Sequence, residues 1–298
     1  MSVPAAFIAV VMIWSTTPLA VKWSGQGPGF LFGALGRMTL AAVLCIALLL
    51  ALRMSLPWHK QARRTYAAAA IAVYGAMLCV YWAAQHVPSG LIAVLFGLTP
   101  LMTTLLERWL IRAHALSAAK LAGAALGVLG LALIFQAGTD LGPRSTEGIA
   151  VLVLAVFVNA LSMVLVKRQN AALSPLAVTT GALLYAAPLF WLTWLIVDGQ
   201  PPAVLPAQAL WSIVYLASIA SVVGFTLFYY LLKHTPASAV ALLTLVSPVL
   251  ALLLGRIVDH EPVTAHVWYG SALVLAGLAL HQWAPADSSS AIEKSDAS

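Results

Sequence analysis

The polar side chains best suited to bind a small molecule lie inside long apolar stretches of the chain. Aromatic rings stack on apolar groups while their polar tips orient a ligand, and hydroxyl and amide groups donate and accept hydrogen bonds. The predicted substrate-binding set is Trp14, Ser15, Thr16, Tyr81, Trp82, Asn159, Ser162, Tyr229 and Tyr230. Two alternatives stay open: anchoring of the aromatic rings at a membrane surface, and bonding of the hydroxyls to carbonyls of their own helix.

A second set of residues is suited to gating or to structural roles. Proline within a helix removes a backbone bond and allows a hinge or a static bend, while charged and titratable groups at helix ends can close the mouth of a channel or carrier. The set is Pro18, Lys22, Arg37, His86, Pro100, Glu107, Lys167, His234 and Pro248.

Arg37 is the charge that lies deepest within an apolar stretch. It sits roughly 12 Å from the start of the second stretch, where an arginine costs about 2.5–3.5 kcal/mol on insertion scales. We expect it to have a partner, which could be a ligand carboxylate, a gate residue or the end carbonyls of neighbouring helices. We favour the structural bond to carbonyls, because buried ions often serve packing.

Carboxylates are absent from the middle of every apolar stretch. A carrier of lipophilic cations generally needs a desolvated carboxylate, so the pattern favours neutral, zwitterionic or weakly anionic substrates. Glu107 is a candidate proton site, although an interfacial ion pair with Arg108 or Lys120 is favoured. Paired carboxylates for a metal, and a nucleophile with a positioned base, are also lacking, so we predict no enzyme activity, no metal site and no cofactor.

The composition places these residues in lipid. The chain of 298 residues is 62% hydrophobic and only 8% charged, far from the mixture typical of a soluble domain. About twenty apolar residues cross a bilayer as a helix. Ten such runs are predicted, at 4–22, 29–52, 65–85, 88–112, 117–136, 145–166, 175–197, 207–232, 236–257 and 263–283.

A motif from the third and fourth runs recurs in the eighth and ninth. Tyr81, His86, Pro88, Pro100 and Arg108 each reappear 148 residues later, as Tyr229, His234, Pro236, Pro248 and Arg256. Five spans per half is an odd number, so the second half starts on the opposite side of the membrane. We therefore predict an all-α polytopic membrane protein with ten transmembrane helices in two inverted five-helix repeats, 1–140 and 141–283, followed by a disordered cytoplasmic tail, 284–298.

The net charge of +6 is explained by membrane topology. With the N-terminus inside, cytoplasmic segments collect eleven of the fifteen basic residues and outer segments only Lys22, Arg144 and Arg256, as the positive-inside rule requires. We predict a multi-pass inner-membrane protein with both termini cytoplasmic, which contacts the bilayer and a small-molecule substrate but no nucleic acid.

Several motifs resemble those of the drug/metabolite transporter superfamily and its EamA-type, YddG-like branch of ten-span exporters. They are Trp14 to Lys22 in the first span, Arg37 in the second, Leu98-Thr99-Pro100 and Val246-Ser247-Pro248 in the fourth and ninth, and Glu261-Pro262 before the last. The resemblance implies a central cavity lined by spans one, three, four, six, eight and nine, and outward transport.

Together these features predict a secondary transporter that moves a small neutral or zwitterionic, amino-acid-like metabolite, aromatic or hydrophobic, by alternating access. The alternatives are an exporter of drugs and lipophilic compounds and a channel-like facilitator. Gly123 with Gly127, and Gly270 with Gly277, predict close helix contact either within the chain or in a homodimer.

Overall fold

A computed structural model describes residues 2–111, 118–169, 171–224, 227, 231 and 237–283. The predicted site residues Tyr229, Tyr230 and His234 and the predicted tail 284–298 lie outside these ranges. The described residues form helices and no β-strand. The helices are α1 Val3–Ser24, α2 Phe30–Ala51, α3 Lys60–Ala83, α4 Ser89–Phe96, α5 Thr99–Ile111, α6 Ala118–Leu141, α7 Ser145–Gln169, α8 Pro175–Val197, α9 Ala207–Val223, α10 Ala237–Val258 and α11 Ala265–Trp283.

The lengths and apolarity of these helices make the chain a polytopic membrane protein. Within the described residues, seven helices are long and apolar enough to cross a bilayer: α1, α2, α3, α4 together with α5, α6, α7 and α8. Shorter apolar helices occur at Ala207–Val223 and Leu243–Val258. The count of ten spans and their inversion remain predictions.

Two helix limits differ from those predicted from apolarity. Helix α3 begins at Lys60 rather than 65, because His59 Nδ1 accepts a hydrogen bond from the Ala62 N–H at 3.3 Å and a charged first turn precedes the apolar run. Helix α6 continues to Leu141 rather than ending at 136. Apolarity therefore locates the part of a helix that suits lipid, while the backbone hydrogen bonds extend beyond it.

Proline affects the fourth and ninth predicted spans differently. Helices α4 and α5 are separated at Gly97 and Leu98, two residues before Pro100, which has no N–H to continue the helical pattern. By contrast, α10 runs unbroken past Pro248, as α1 does past Pro18. Wide π-helical turns occur in α3 at Ile71–Ala76 and in α9 at Leu216–Val223, a geometry frequent at functional sites.

Four glycines bring α6 and α11 into backbone contact. A Cβ added at Gly123 would lie 2.6 Å from the carbonyl oxygen of Gly277, and one added at Gly270 would lie 2.7 Å from that of Gly130. The two helices run antiparallel, because the earlier glycine of one meets the later glycine of the other. The contact predicted from the glycine spacing thus lies within the chain.

We expect Gly277→Val to destabilise the protein. A side chain there would push α6 and α11 apart, and overpacking of this kind costs about 1–3 kcal/mol. The measurement is the apparent melting temperature of the purified protein in nanodiscs. Ala125→Val is the matched control, since Ala125 is an exposed residue of α6; equal melting temperatures for the two variants would contradict the glycine contact.

Candidate functional site

Lys22, close to the end of α1, is held by two carboxylates that follow α10. Its Nζ lies 2.7 Å from Asp259 Oδ2 and 2.7 Å from Glu261 Oε1. The neighbouring Trp23 donates its indole N–H to Asp259 Oδ1 at 2.8 Å. A lysine and a tryptophan that are adjacent in the chain therefore hold the same acidic turn.

Glu261 also joins the acidic turn to the start of α4. Its two oxygens accept the backbone N–H of Ser89 at 2.9 and 2.8 Å, and Oε2 accepts the Ser89 hydroxyl at 2.9 Å. Ser89 is the first residue of α4, where the N–H groups lack helical partners and favour an anion. Glu261 is only 5% exposed, and Gly255 packs against Oε2 with no room for a Cβ.

These contacts form a cluster that we call the Lys22 network: Lys22, Trp23, Ser89, Asp259 and Glu261. It connects the end of α1, the start of α4 and the turn between α10 and α11. Charge-assisted hydrogen bonds are about twice as strong as neutral ones, so they hold the helices firmly together at this end of the molecule, which we call the Lys22 end.

Lys167, near the end of α7, makes a simpler contact. Its Nζ lies 2.7 Å from Glu107 Oε1 in α5, and the lysine and glutamate side chains are 67% and 22% exposed. Glu107 thus pairs with Lys167. Glu107 follows Ser89 by 18 residues, or roughly 27 Å of helix. The end of the molecule that contains Glu107 and Lys167, which we call the Lys167 end, is therefore opposite the Lys22 end.

The hydroxyls predicted in α1 are largely engaged with backbone. Ser15 Oγ donates to Val11 O at 2.6 Å, and Thr16 Oγ1 to Met12 O at 2.9 Å. Thr16 Oγ1 also lies 2.6 Å from Tyr215 OH of α9. Tyr215 was not in the predicted set, because no repeated motif marks it; its only signal was a polar tip in an apolar run. Trp14 is half-buried in the same helix.

The residues predicted in α3 separate into two environments. Tyr81 is 1% exposed, and its hydroxyl has no hydrogen-bond partner among the described residues. Trp82 instead stacks near the His86 ring, with centroids 4.5 Å apart, and the guanidinium carbon of Arg144 lies 5.5 Å from its ring centroid. Trp82 therefore belongs to the Lys22 end, away from Trp14.

The two predicted residues of α7 make contacts of different kinds. Ser162 Oγ donates to Ala68 O of α3 at 2.7 Å, so its hydroxyl joins two helices. Asn159 Nδ2 lies 3.9 Å from Met163 Sδ one turn away, a weak contact that leaves most of its amide capacity free for a ligand.

Arg37 is 8% exposed, and its Nε has no partner among the described residues. The carbonyl bond that we favoured is therefore not found in this part of the chain. Four hydroxyls outside the predicted set share this property: Thr99 Oγ1, Thr103 Oγ1, Ser247 Oγ and Ser271 Oγ. Of these, Thr99 and Ser247 stand 148 residues apart, immediately before Pro100 and Pro248.

Two groups outside the helices have shifted pKa values. Burial alone would raise the pKa of the Asp259 carboxyl. Hydrogen bonds from Lys22 and Trp23 outweigh this effect, so the pKa lies below its usual value. Its stabilising charge is thus present above about pH 3.9 and is lost as the pH falls through the lowered pKa. Burial, and after it the positive charge of Arg144, lowers the pKa of His86, while the charge of Glu147 raises it by less. Because the folded form favours the neutral imidazole, the protein becomes less stable as the pH falls below about 6.5.

The described residues contain no group of three or more His, Cys, Asp or Glu side chains arranged to hold a metal ion. The ion pairs between different helices lie at the two ends of the described structure, and a few buried polar groups of the described helices have no partner.

We expect Lys22→Gln to destabilise the protein far more than Lys167→Gln. The first leaves Glu261 buried beside a neutral group, a change that costs about 3 kcal/mol or more. The second removes an exposed pair worth about 1 kcal/mol or less. Thermal unfolding of both variants in nanodiscs measures the difference, and equal shifts in melting temperature would contradict the unequal strength of the two ends.

Comparisons with known proteins identify the family of the chain. The sequence model of the EamA-like transporter family matches residues 2–136 and again 146–281. The uncharacterized transporter YoaV of Bacillus subtilis (strain 168) is 24% identical over 274 residues, covering 91% of this chain and 93% of that protein. A probable terminal-alkyne amino-acid exporter of Streptantibioticus cattleyicolor is 27% identical, covering 92% of this chain and 91% of that protein.

A solved structure described only as a crystal structure of a protein has the same fold. Its TM-score is 0.62 at 21% identity, and the match covers 94% of this chain and 97% of the other. Because the family model accounts for almost the whole chain, in two consecutive matches, the chain belongs to the EamA-like transporter family.

Proposed function

We propose that the protein is a secondary transporter that carries a small neutral or zwitterionic, amino-acid-like metabolite outward across the inner membrane by alternating access. The observation that carries this proposal is the unequal closure of the two ends. Five residues join the helices at the Lys22 end through buried and part-buried bonds, most of them charge-assisted, whereas the described residues of the Lys167 end contribute a single ion pair, in which the lysine is exposed. Alternating access needs one mouth closed while the other opens.

Two symmetric gates would follow from ten helices arranged as inverted repeats, 1–140 and 141–283. Lys167 follows Lys22 by 145 residues, and each lysine binds a carboxylate in or just after a helix of the other half. The glycine contacts obey the same relation, since Gly270 follows Gly123, and Gly277 follows Gly130, by 147 residues. The two consecutive family matches support this division.

The substrate class is proposed from charge. The described ion pairs lie at helix ends and in the turn after α10, so a mid-membrane carboxylate for a lipophilic cation is missing from the described residues. A neutral or zwitterionic molecule suits the hydroxyl and aromatic groups better. The relative described as an amino-acid exporter supports an amino-acid-like substrate and outward transport. With both termini cytoplasmic, the Lys22 end faces outward.

Exchange in proteoliposomes tests the transport class. Vesicles are loaded with labelled leucine, phenylalanine or threonine, or with tetraphenylphosphonium as a lipophilic cation. We expect efflux of at least one amino acid to saturate and to accelerate severalfold when the same unlabelled amino acid is added outside, because a carrier returns faster when loaded. Efflux without saturation or exchange would indicate a channel, and exchange of the cation alone would contradict the charge argument. Protein-free vesicles are the control.

Labelling of a mid-membrane cysteine tests the gate. Thr99→Cys is introduced after Cys45 and Cys79 have been replaced by alanine, and a membrane-impermeant maleimide is added to intact cells. We expect little labelling with the Lys22 network intact and at least severalfold faster labelling after Glu261→Gln, because the Lys22 end then opens. Lys167→Gln is the matched control and should not increase labelling from outside; a Glu261→Gln variant labelled as slowly as its parent would refute the gate.

A further inference from the structure

Arg37 is a buried cation for which the described part of the chain provides no carboxylate partner. Among the described residues no hydrogen bond or ion pair reaches its guanidinium, and its Nε is inaccessible to water. Lys22 and Lys167, by contrast, have carboxylate partners within 2.7 Å. The guanidinium of an arginine is a cation, and an unpaired buried charge is unfavourable.

The packing of α2 places Arg37 where three helices meet. Gly33 lies one turn before it on the same face, and a Cβ at Gly33 would lie 2.5 Å from Ser24 O of α1. A Cβ at the adjacent Gly36 would lie 3.2 Å from Ile213 of α9. The face that carries Arg37 is therefore turned towards α1, with α9 beside it.

Two hydroxyl groups of α1 and α9 meet close, along the chain, to the contact between α2 and α9. Two residues after Ile213, Tyr215 OH lies 2.6 Å from Thr16 Oγ1 of α1. Immediately after Tyr215, α9 widens into π-helical turns, which are frequent at functional sites. The helices α1 and α9 that pack against α2 beside Arg37 thus also carry an aromatic and an aliphatic hydroxyl that meet each other.

We infer that Arg37 binds the carboxylate of the transported metabolite. A guanidinium donates two parallel hydrogen bonds to a carboxylate, the geometry for which arginine is best suited, and the bound carboxylate supplies the missing counter-charge. The inference rests on the proposed function and narrows it: the substrate carries a free carboxylate, as an amino acid does, and its amide is a poor substrate.

Calorimetric binding to the full chain in nanodiscs tests this assignment. The probes are leucine, phenylalanine and threonine and their amides, which differ only in lacking the carboxylate. We expect the wild type to prefer an acid over its amide by about tenfold to a hundredfold, and Arg37→Gln to lose this preference while binding the amide as before. Arg64→Gln, which removes an exposed arginine of α3, is the matched control and should change neither affinity.

Arg37→Lys decides the matter if Arg37→Gln does not fold. Lysine keeps the charge but not the paired donors, so we expect acid binding about tenfold weaker and amide binding unchanged. Unaltered acid preference in a folded Arg37→Gln protein, or wild-type affinities in Arg37→Lys, would overturn the inference alone and leave the transporter proposal intact.

Chloride provides the remaining arm of the experiment. Thermal stabilisation of the wild type, but not of Arg37→Gln, by chloride without any amino acid would assign Arg37 to an inorganic anion and overturn the inference. If the wild type binds none of the probes and exchanges none of them, the proposed amino-acid-like substrate and the inference both fail.

Discussion

A buried carboxylate must be matched by donors that reach it from every side, and Glu261 meets this requirement by drawing three parts of the chain together. The ammonium of Lys22 comes from α1, and the N–H and hydroxyl of Ser89 from α4. Gly255 leaves the space that the carboxylate occupies, and Gly90 lets α4 approach the backbone of α10 at Leu252. Because these contacts share one carboxylate, the Lys22 end closes as a unit.

Among the described residues, the opposite end has one salt bridge, between Lys167 and Glu107, and this difference sets the energetics of the proposed cycle. An exposed pair such as Lys167 with Glu107 contributes about 1 kcal/mol or less, so the Lys167 end separates readily. Opening the Lys22 end requires several charge-assisted bonds to break together. A substrate drives that step only by binding the opened form more tightly than the closed one, a role that a carboxylate on Arg37 can fill.

Hydropathy located the helices well because lipid demands about twenty apolar residues per crossing. Lys22 and Lys167 also stand 145 residues apart in the sequence, near the spacing of the repeat. The partners of these residues could not be predicted in the same way. In helices that are apolar all round, the sequence indicates depth in the membrane but not rotation about the helix axis. For this reason the sequence did not indicate that Ser162, expected to face substrate, bonds to Ala68. Glu107 was expected to pair with Arg108 or Lys120, but its ion pair is with Lys167. The contact of Tyr215 with Thr16 was not predicted.

The central claim is that the two ends open in alternation, and distance measurements by pulsed electron paramagnetic resonance in nanodiscs test it most directly. Spin labels at the exposed residues Gln26 and His266 report on the Lys22 end, and labels at Trp109 and Arg168 on the Lys167 end. Without substrate, we predict a short, narrow distance distribution at the Lys22 end and a broader one at the Lys167 end. When an amino acid that the protein transports is added, we predict that the Lys22 distance lengthens and broadens while the Lys167 distance shortens and narrows. Simultaneous lengthening at both ends, or no change at either end during exchange, would contradict the account.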